Sequence, residues 1–542
     1  MKKNLLLVLL TLLGCTQKQQ SGTSINIIPR PLQITEKEGS FLLTSDIKII
    51  SQQAAENEAQ YLSEILKNAF GKAPLIENEG DSGIILKLDT SLIEKTGREG
   101  YIFHSSAKNI IIEAAEAAGI FYGIQTLRQL LPPEFEYKRD KNKSANIKAV
   151  EILDKPRFSW RAFMLDEARY FKGINSVKLL LEQMALHKMN IFHWHLVDDP
   201  GWRIEIKKYP ELTKIGSKRK NSMLKHWDSN IYSGIPHEGF YTQEEIKDII
   251  QYAAQRHITV VPEIEMPGHS TAAIVSYPWL GTSGNLTEVP YLCGGDYDIY
   301  NVSDPKVIAF IKDVLTEVMN LFPSKVIHIG GDEVDFDIWK NSENVKTFMR
   351  KNNLKTPADL QINFTNGISQ FIESHGRRMM GWNDILGGVS IHDYQSAEDV
   401  QTSQNLAPNT IVHFWKGDLK LIEKAVSNGY DIVNSYHKET YLDYNYKRIS
   451  LKKAYNFDPI PEGLDEKYQN KILGSGCQMW GEWIPTETRM EYQVFPRLSA
   501  YAEVDWTDKS LKNYKDFNQR LNSMKKRWQI IEIRFMNDSN GE

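Results

Sequence analysis

The pattern of apolar and polar positions changes period near residue 157. Before it, alternating stretches at 46–51, 83–88 and 109–113 predict strands. Apolar positions three and four apart predict helices over 54–69 and 117–131, the second stopped by Pro132-Pro133. The charged stretch 136–148 reads as a linker. After residue 157, short apolar runs stand at 162–165, 191–195, 259–262, 326–329, 378–381, 411–414, 431–434 and 474–478. Helical patterns lie between most of them, at 176–188, 243–256, 305–321, 358–374 and 419–427. Buried strands alternating with helices in this number predict an α/β chain: a (β/α)8 TIM barrel preceded by a small α+β domain. An open doubly wound sheet is the alternative, but no GxGxxG or GxxxxGK[ST] follows any run. The expected divisions are 1–24, 25–150, 151–510 and a C-terminal helix and tail at 511–542, with the helix over 511–527.

The first division is no part of the fold. Lys2 and Lys3 precede an apolar stretch at 5–13 that is too short to span a bilayer. It ends Leu12-Leu13-Gly14-Cys15, which resembles the lipobox of bacterial lipoproteins. That resemblance implies lipidation of Cys15, a polar tether at 16–24, and anchoring in the bacterial cell envelope, on the periplasmic or surface face of the outer membrane. A plain secretory signal with an incidental cysteine is the other reading.

Composition narrows the classes further. With 65 Lys and Arg against 69 Asp and Glu, the net charge of −4 argues against a broadly basic nucleic-acid binder. Beyond Cys15, Cys293 and Cys477 make neither a disulfide framework nor a zinc-ligand spacing. Twelve Trp and 24 Tyr suit a large core or a site that stacks flat apolar faces.

A barrel carries its chemistry at the C-terminal ends of its strands. Those positions hold Asp166-Glu167-Ala168-Arg169, His193-Trp194-His195 with Asp198-Asp199, Glu263 to His269, Gly330-Gly331-Asp332-Glu333, Trp382-Asn383-Asp384, Trp415, Tyr441-Leu442-Asp443 and Trp480-Gly481-Glu482. Asp332-Glu333 is central. Adjacent carboxylates at the end of a buried strand repel, and their surroundings separate their pKa values. One protonated and one ionised acid are what breaking a glycosidic bond requires, and Trp faces suit sugar C–H surfaces. His193, His195 and His269 with the neighbouring Asp residues offer a metal site instead, yet no further His or Lys ligand is evident at a later strand end. No GxSxG supports a serine nucleophile.

In these segments the chain resembles glycoside hydrolase family 20, the β-N-acetylhexosaminidases. The matching stretches are Leu165 to Phe171, Lys188 to Asp199, Pro262 to His269, His328 to Glu333, Gly381 to Leu386, Gln478 to Glu482 and Phe495 to Leu498. The resemblance implies an exo-acting, retaining, substrate-assisted hydrolase that needs neither cofactor nor metal. Its partner would be a glycan ending in β-linked GlcNAc or GalNAc, with the substrate's own acetamide oxygen as nucleophile. Asp332 would orient the acetamide, Glu333 would act as acid and then base, and Tyr441 would donate to the acetamide oxygen. Arg169, Asp443 and Glu482 would hold sugar hydroxyls. Trp382, Trp415 and Trp480 would wall the acetamide pocket. Asp198 and His269, and more weakly Glu265, would tune Glu333 from behind. Asn383-Asp384 departs from the family's usual Asp-Glu, which leaves the role of both side chains in doubt. A barrel glycosidase with a carboxylate nucleophile and a non-catalytic sugar-capturing lipoprotein are the alternatives.

Overall fold

The structure, a computed structural model, describes residues 25–136, 143–226, 229–284, 286, 288–291 and 297–537. Cys15 and its flanking signal and tether lie outside the described residues, as does Cys293. No helix among the described residues is long and apolar enough to cross a membrane.

The N-terminal domain is a seven-stranded mixed sheet. Its spatial order is Gln33–Leu43, Ala145–Asp154, Tyr101–Ser105, Asn109–Ala114, Gly83–Leu88, Lys48–Ser51, Leu75–Glu77. Helices Glu56–Phe70 and Ala117–Leu130 pack on it. The polar pattern hides several of these strands. Gln33–Leu43 is exposed along most of its length, so no apolar alternation marks it. The last four residues of the expected linker at 136–148 belong to a strand: Ala145–Asp154 pairs antiparallel on both sides, and it runs past the boundary expected at residue 150. Lys148 and Glu151 lie on the sheet's outer face, while Ile147, Val150 and Ile152 enter the core with Asp154 at the strand's end.

The second unit is a closed barrel of parallel strands: Trp160–Asp166, Ile191–His195, Thr259–Glu263, Val326–His328, Arg378–Trp382, Ile411–Phe414, Asp431–Asn434 and Ile472–Met479. The last strand pairs in parallel with the first, Met479 opposite Leu165, which closes the ring. Nearly every strand residue is buried, because the interior fills one face and the surrounding helices cover the other. The helices start where the chain supplies a cap. Thr242 forms a reciprocal capping box with Glu245, Asp304 caps a helix that begins at Pro305, and Thr356 caps one that begins at Pro357. After Arg497–Trp506 the terminal helix runs Tyr514–Ile530, a few residues later than the apolar pattern suggests.

The barrel interior is layered. Trp160, Ala162, Ile191, Val261, Met380, Ile411 and Val433 plug its N-terminal end. Above them lies a polar layer in which His193, Glu263, His328 and His413 contact one another. His193 and His195 alternate because both point inward, and Trp194 between them points out onto Tyr241 and Phe322.

The two domains share a buried joint. Lys188, on the barrel side, places its ammonium 2.8 Å from Asp154 and 2.8 Å from the Tyr101 hydroxyl. The indole N–H of Trp506 donates to the other Asp154 oxygen at 2.9 Å. Arg161 reaches Glu99 through both terminal nitrogens, at 2.9 and 2.6 Å.

Candidate active site

All eight strands point the same way, so residues far apart in sequence meet above their C-terminal ends. Two cavity lobes open there, of about 830 and 490 Å³. Arg169, His269, Glu333 and Glu482 line both. The larger lobe adds Asp332, Trp415, Tyr441, Asp443, Tyr444 and Trp480. Tyr170, Tyr291, Phe336 and Tyr394 line the smaller one.

The paired acids sit on a backbone turn that few sequences can make. Gly330 and Gly331 have φ of 65° and 90°, and Glu333 itself has φ 50°. A Cβ on Gly330 would stand 1.5 Å from Glu265 Oε2, so only glycine fits. His269 also has a left-handed φ, 47°. Left-handed φ at two non-glycine site residues is the kind of strain that collects where side chains must be aimed.

Asp332 is buried, and its Oδ1 has no hydrogen-bond partner among the described residues. Burial pushes its pKa up to about 8; His269 opposes the rise, and Asp384 and Glu333 add to it. Glu333 is 39% exposed where the two lobes meet. Desolvation raises its pKa, but His269, then His392 and Lys416, outweigh it and hold the carboxyl below the usual range. His269 Nε2 lies 3.7 Å from both acids, Asp332 Oδ2 and Glu333 Oε2. Its Nδ1 donates to Asp199 Oδ2 at 3.1 Å and lies 3.3 Å from Asp198 Oδ1. Burial works against its charge, yet these carboxylates raise His269 well above its ordinary value.

Asp198 faces Arg169 more closely than His269, at 2.7 Å. It also accepts from His195 at 3.0 Å. Asp198 and Asp199 both support His269, and the role of Asp199 was not foreseen from the motif. Arg169 lies 3.3 Å from Asp166, stacks over Trp480 at 5.1 Å and stands 3.9 Å from Glu482. Glu265 is buried beneath Asp332 with both oxygens unpartnered among the described residues; burial first, then Asp332, raises it well above the usual range. It does not touch Glu333 through any hydrogen bond in the described residues.

Trp415 and Tyr441 stand parallel, 6.2 Å apart and 8° from coplanar, with Trp480 6.0 Å from Tyr441. Trp480 Nε1 and Asp443 Oδ1 are buried and have no partner among the described residues. Burial and Glu482 push Asp443 well up. Buried Arg497 fixes the segment bearing Tyr441 and Asp443 by donating to the carbonyls of Leu442, Tyr444 and Ile449. Trp382 stands apart from the other Trp residues. It is 1% exposed, lines neither lobe, donates to Glu263 at 2.8 Å and stacks on His413 at 4.0 Å. It lies 5.8 Å from Trp480.

The departure at Asn383-Asp384 turns out to carry structure. Asn383 Oδ1 accepts from the backbone of Trp415. Asp384 accepts the Glu333 N–H at 3.1 Å, the Trp415 indole N–H at 2.8 Å and His392 Nε2–H at 2.6 Å. His392 and Lys416 belong to no motif and were invisible in sequence.

The His-rich layer also departs from expectation, since later strands do contribute histidines, His328 and His413. His193, Glu263 and His328 bring possible ligand atoms within 4.8 Å of one another. Two of the three are already engaged: His328 Nδ1 accepts the Gly330 N–H, and Glu263 accepts from Trp382 and His195. That donor set fits a hydrogen-bonded floor under the acids better than a metal centre.

A family model for the catalytic domain of glycosyl hydrolase family 20 matches residues 158–509, and one for domain 2 of that family matches 24–155. The chain is 36% identical over 536 residues to a beta-hexosaminidase of Porphyromonas gingivalis, an alignment covering 95% of this chain. It spans 65% of that relative's length. A beta-hexosaminidase of Vibrio furnissii is 32% identical, with 89% of this chain and 76% of the relative covered. The fold is similar to an exo beta-N-acetylglucosaminidase of Vibrio harveyi in complex with N-acetylglucosamine, at a TM-score of 0.81 and 30% identity, covering 95% and 78% of the two chains.

Proposed function

The chain belongs to glycosyl hydrolase family 20, and on that premise we propose that it is an exo-acting, retaining β-N-acetylhexosaminidase that removes terminal GlcNAc or GalNAc by substrate assistance. One observation carries the reading. Asp332 Oδ1, Asp443 Oδ1 and Trp480 Nε1, two acceptors and a donor, are buried at the larger lobe with no partner among the described residues. Buried polar atoms without partners are costly, and a polar ligand with apolar faces between its hydroxyls relieves that cost.

In this mechanism the larger lobe holds the terminal sugar, and Arg169, Asp443 and Glu482 take its hydroxyls. Trp415, Tyr441 and Trp480 enclose the acetamide. Asp332 accepts the acetamide N–H, Tyr441 donates to the acetamide oxygen, and that oxygen attacks the anomeric carbon. Glu333 protonates the departing oxygen and later deprotonates the incoming water. Water then opens the cyclic intermediate on the face the leaving group left, so configuration is retained. Holding the nucleophile in place supplies the effective molarity that a bimolecular reaction lacks.

The electrostatics give this scheme a trigger. In the free enzyme the balance favours a proton on Asp332 and an ionised Glu333, the reverse of the reactive arrangement. An acetamide N–H donated to Asp332 stabilises its anion and favours transfer of the shared proton to Glu333. His269, equidistant from the two acids, is placed to pass it. Substrate binding would thereby arm the acid.

The test is progressive release of N-acetylhexosamine from chitooligosaccharides, one residue at a time from the non-reducing end, with the β-anomer appearing first. Internal cleavage or an α-product would overturn the reading. We also propose lipid anchoring through Cys15, supported by the Leu12-Leu13-Gly14-Cys15 pattern. A Cys15→Ser chain should leave the membrane fraction of the producing cell; retention there would refute the anchor.

A further inference from the structure

The mechanism above uses the larger lobe and gives no task to the smaller one, a cavity of about 490 Å³. That is the size of an ordinary ligand cavity, about 300–1,000 Å³. Loops after four different barrel strands supply its aromatic rings: Tyr170 after the first, Tyr291 after the third, Phe336 after the fourth and Tyr394 after the fifth. Each ring is backed by a second ring that does not line the cavity. Tyr170 meets His237 edge-on at 5.1 Å, and Tyr291 meets Tyr232 edge-on at 6.1 Å. Phe336 stacks on Trp339 at 6.1 Å, and Tyr394 stacks on His392 at 5.2 Å. Rings held from behind lose little freedom when a ligand settles on them. Tyr170 and Phe336 are buried and form a wall, whereas Tyr394 is 62% exposed. With one face on His392, Tyr394 keeps the other face open.

The place of the acid decides what the smaller lobe can take. Glu333 lines both lobes. The glycosidic oxygen that it protonates therefore lies where the lobes meet. With the terminal sugar in the larger lobe, whatever is bonded to the far side of that oxygen lies toward the smaller one. Two features tie the smaller lobe to this point. Residues 334–336 run directly from Glu333 into its wall. On the other flank, His392 Nδ1 is 3.6 Å from Glu333 Oε1, and Tyr394 covers the His392 ring. Tyr394 thus stands one ring away from the acid. A β-linked pyranose has apolar C–H faces and a rim of hydroxyls, which suits an open aromatic face beside polar groups such as Asp335 and Gln395. We propose that the smaller lobe receives the aglycone, a second pyranose of the oligosaccharide, and that Tyr394 is the platform on which this pyranose stacks.

The inference rests on the proposed hydrolase reading. Release of GlcNAc from its methyl β-glycoside by the unaltered protein tests that reading separately, because a methyl aglycone has no face to stack. Three compounds share the terminal sugar and differ in the aglycone: methyl β-GlcNAc, octyl β-GlcNAc and chitobiose. In a Glu333→Gln chain, calorimetry should show chitobiose binding about 3- to 10-fold more tightly than the methyl glycoside. Tyr394→Ala should lower kcat/KM on chitobiose by about the same 3- to 10-fold, and on the methyl glycoside by less than about twofold. Tyr394→Phe keeps the ring and should retain most of the activity on chitobiose. Tyr394 is exposed, so Ala there opens no cavity in the core. Equal affinity for the methyl glycoside and chitobiose, equal losses on all three compounds, or Tyr394→Phe no better than Tyr394→Ala would overturn the proposal. So would an octyl glycoside that binds as tightly as chitobiose and loses as much in Tyr394→Ala, since the lobe would then take an alkyl chain rather than a sugar.

Discussion

At the scale of single residues, the account turns on how two adjacent acids divide a proton. Glu333→Gln keeps the shape and removes the proton, so turnover of a glycoside with a poor leaving group should fall by about 10²–10⁴. Full activity of that variant would remove Glu333 from its role. The pH dependence follows from the pair. Asp332 is raised to about 8 by burial, while Glu333 is held low. The free enzyme therefore holds the single proton it needs below about pH 8 and loses it above. kcat/KM should fall as pH rises through that value, and a profile flat to pH 10 would contradict the shared proton. The site residues legible in sequence were those at strand ends, where a charged or aromatic side chain following an apolar run stands out. Asp384 stood at a strand end with its role left open; His392 and Lys416 were not legible, because their contacts join different loops and no spacing encodes them. Trp382 also stood out at a strand end, but that Glu263 holds its indole N–H was not readable from the sequence.

At the scale of elements, the barrel was legible and the N-terminal sheet only partly so. Barrel strands are buried on both faces and read as apolar runs between capped helices. The edge strand Gln33–Leu43 and the strand Ala145–Asp154 carry charge on an exposed face, and the polar pattern masked them. The element that decides function is the turn after the fourth barrel strand. Gly330→Ala would force a Cβ against Glu265 at a φ of 65°. Backbone strain alone costs about 1–3 kcal/mol. Thermal unfolding should show at least that loss, with activity falling further because Asp332 and Glu333 move with the turn. An unchanged melting temperature with unchanged activity would mean the turn is more pliable than this geometry allows.

At the scale of the whole molecule, the N-terminal domain is joined to the barrel by a buried ion pair. Lys188 and Asp154 are each fully buried, and desolvation lowers the Lys188 pKa against the pull of Asp154. Removing one partner leaves the other charge stranded, which typically costs about 3–5 kcal/mol. Lys188→Met should lower stability by that order in chemical unfolding, and restoring neutrality with Asp154→Asn in the same chain should recover part of it. No change in either variant would show that the joint does not hold the domains together. The central claim concerns the acetamide, and one measurement reaches it directly: hydrolysis of the aryl β-glycosides of GlcNAc and of plain glucose, side by side, with a thiazoline analogue of the cyclic intermediate as inhibitor. The account predicts cleavage of the GlcNAc glycoside alone, blocked by the thiazoline. Equal cleavage of both glycosides, indifferent to the thiazoline, would contradict it and send the search to a carboxylate nucleophile.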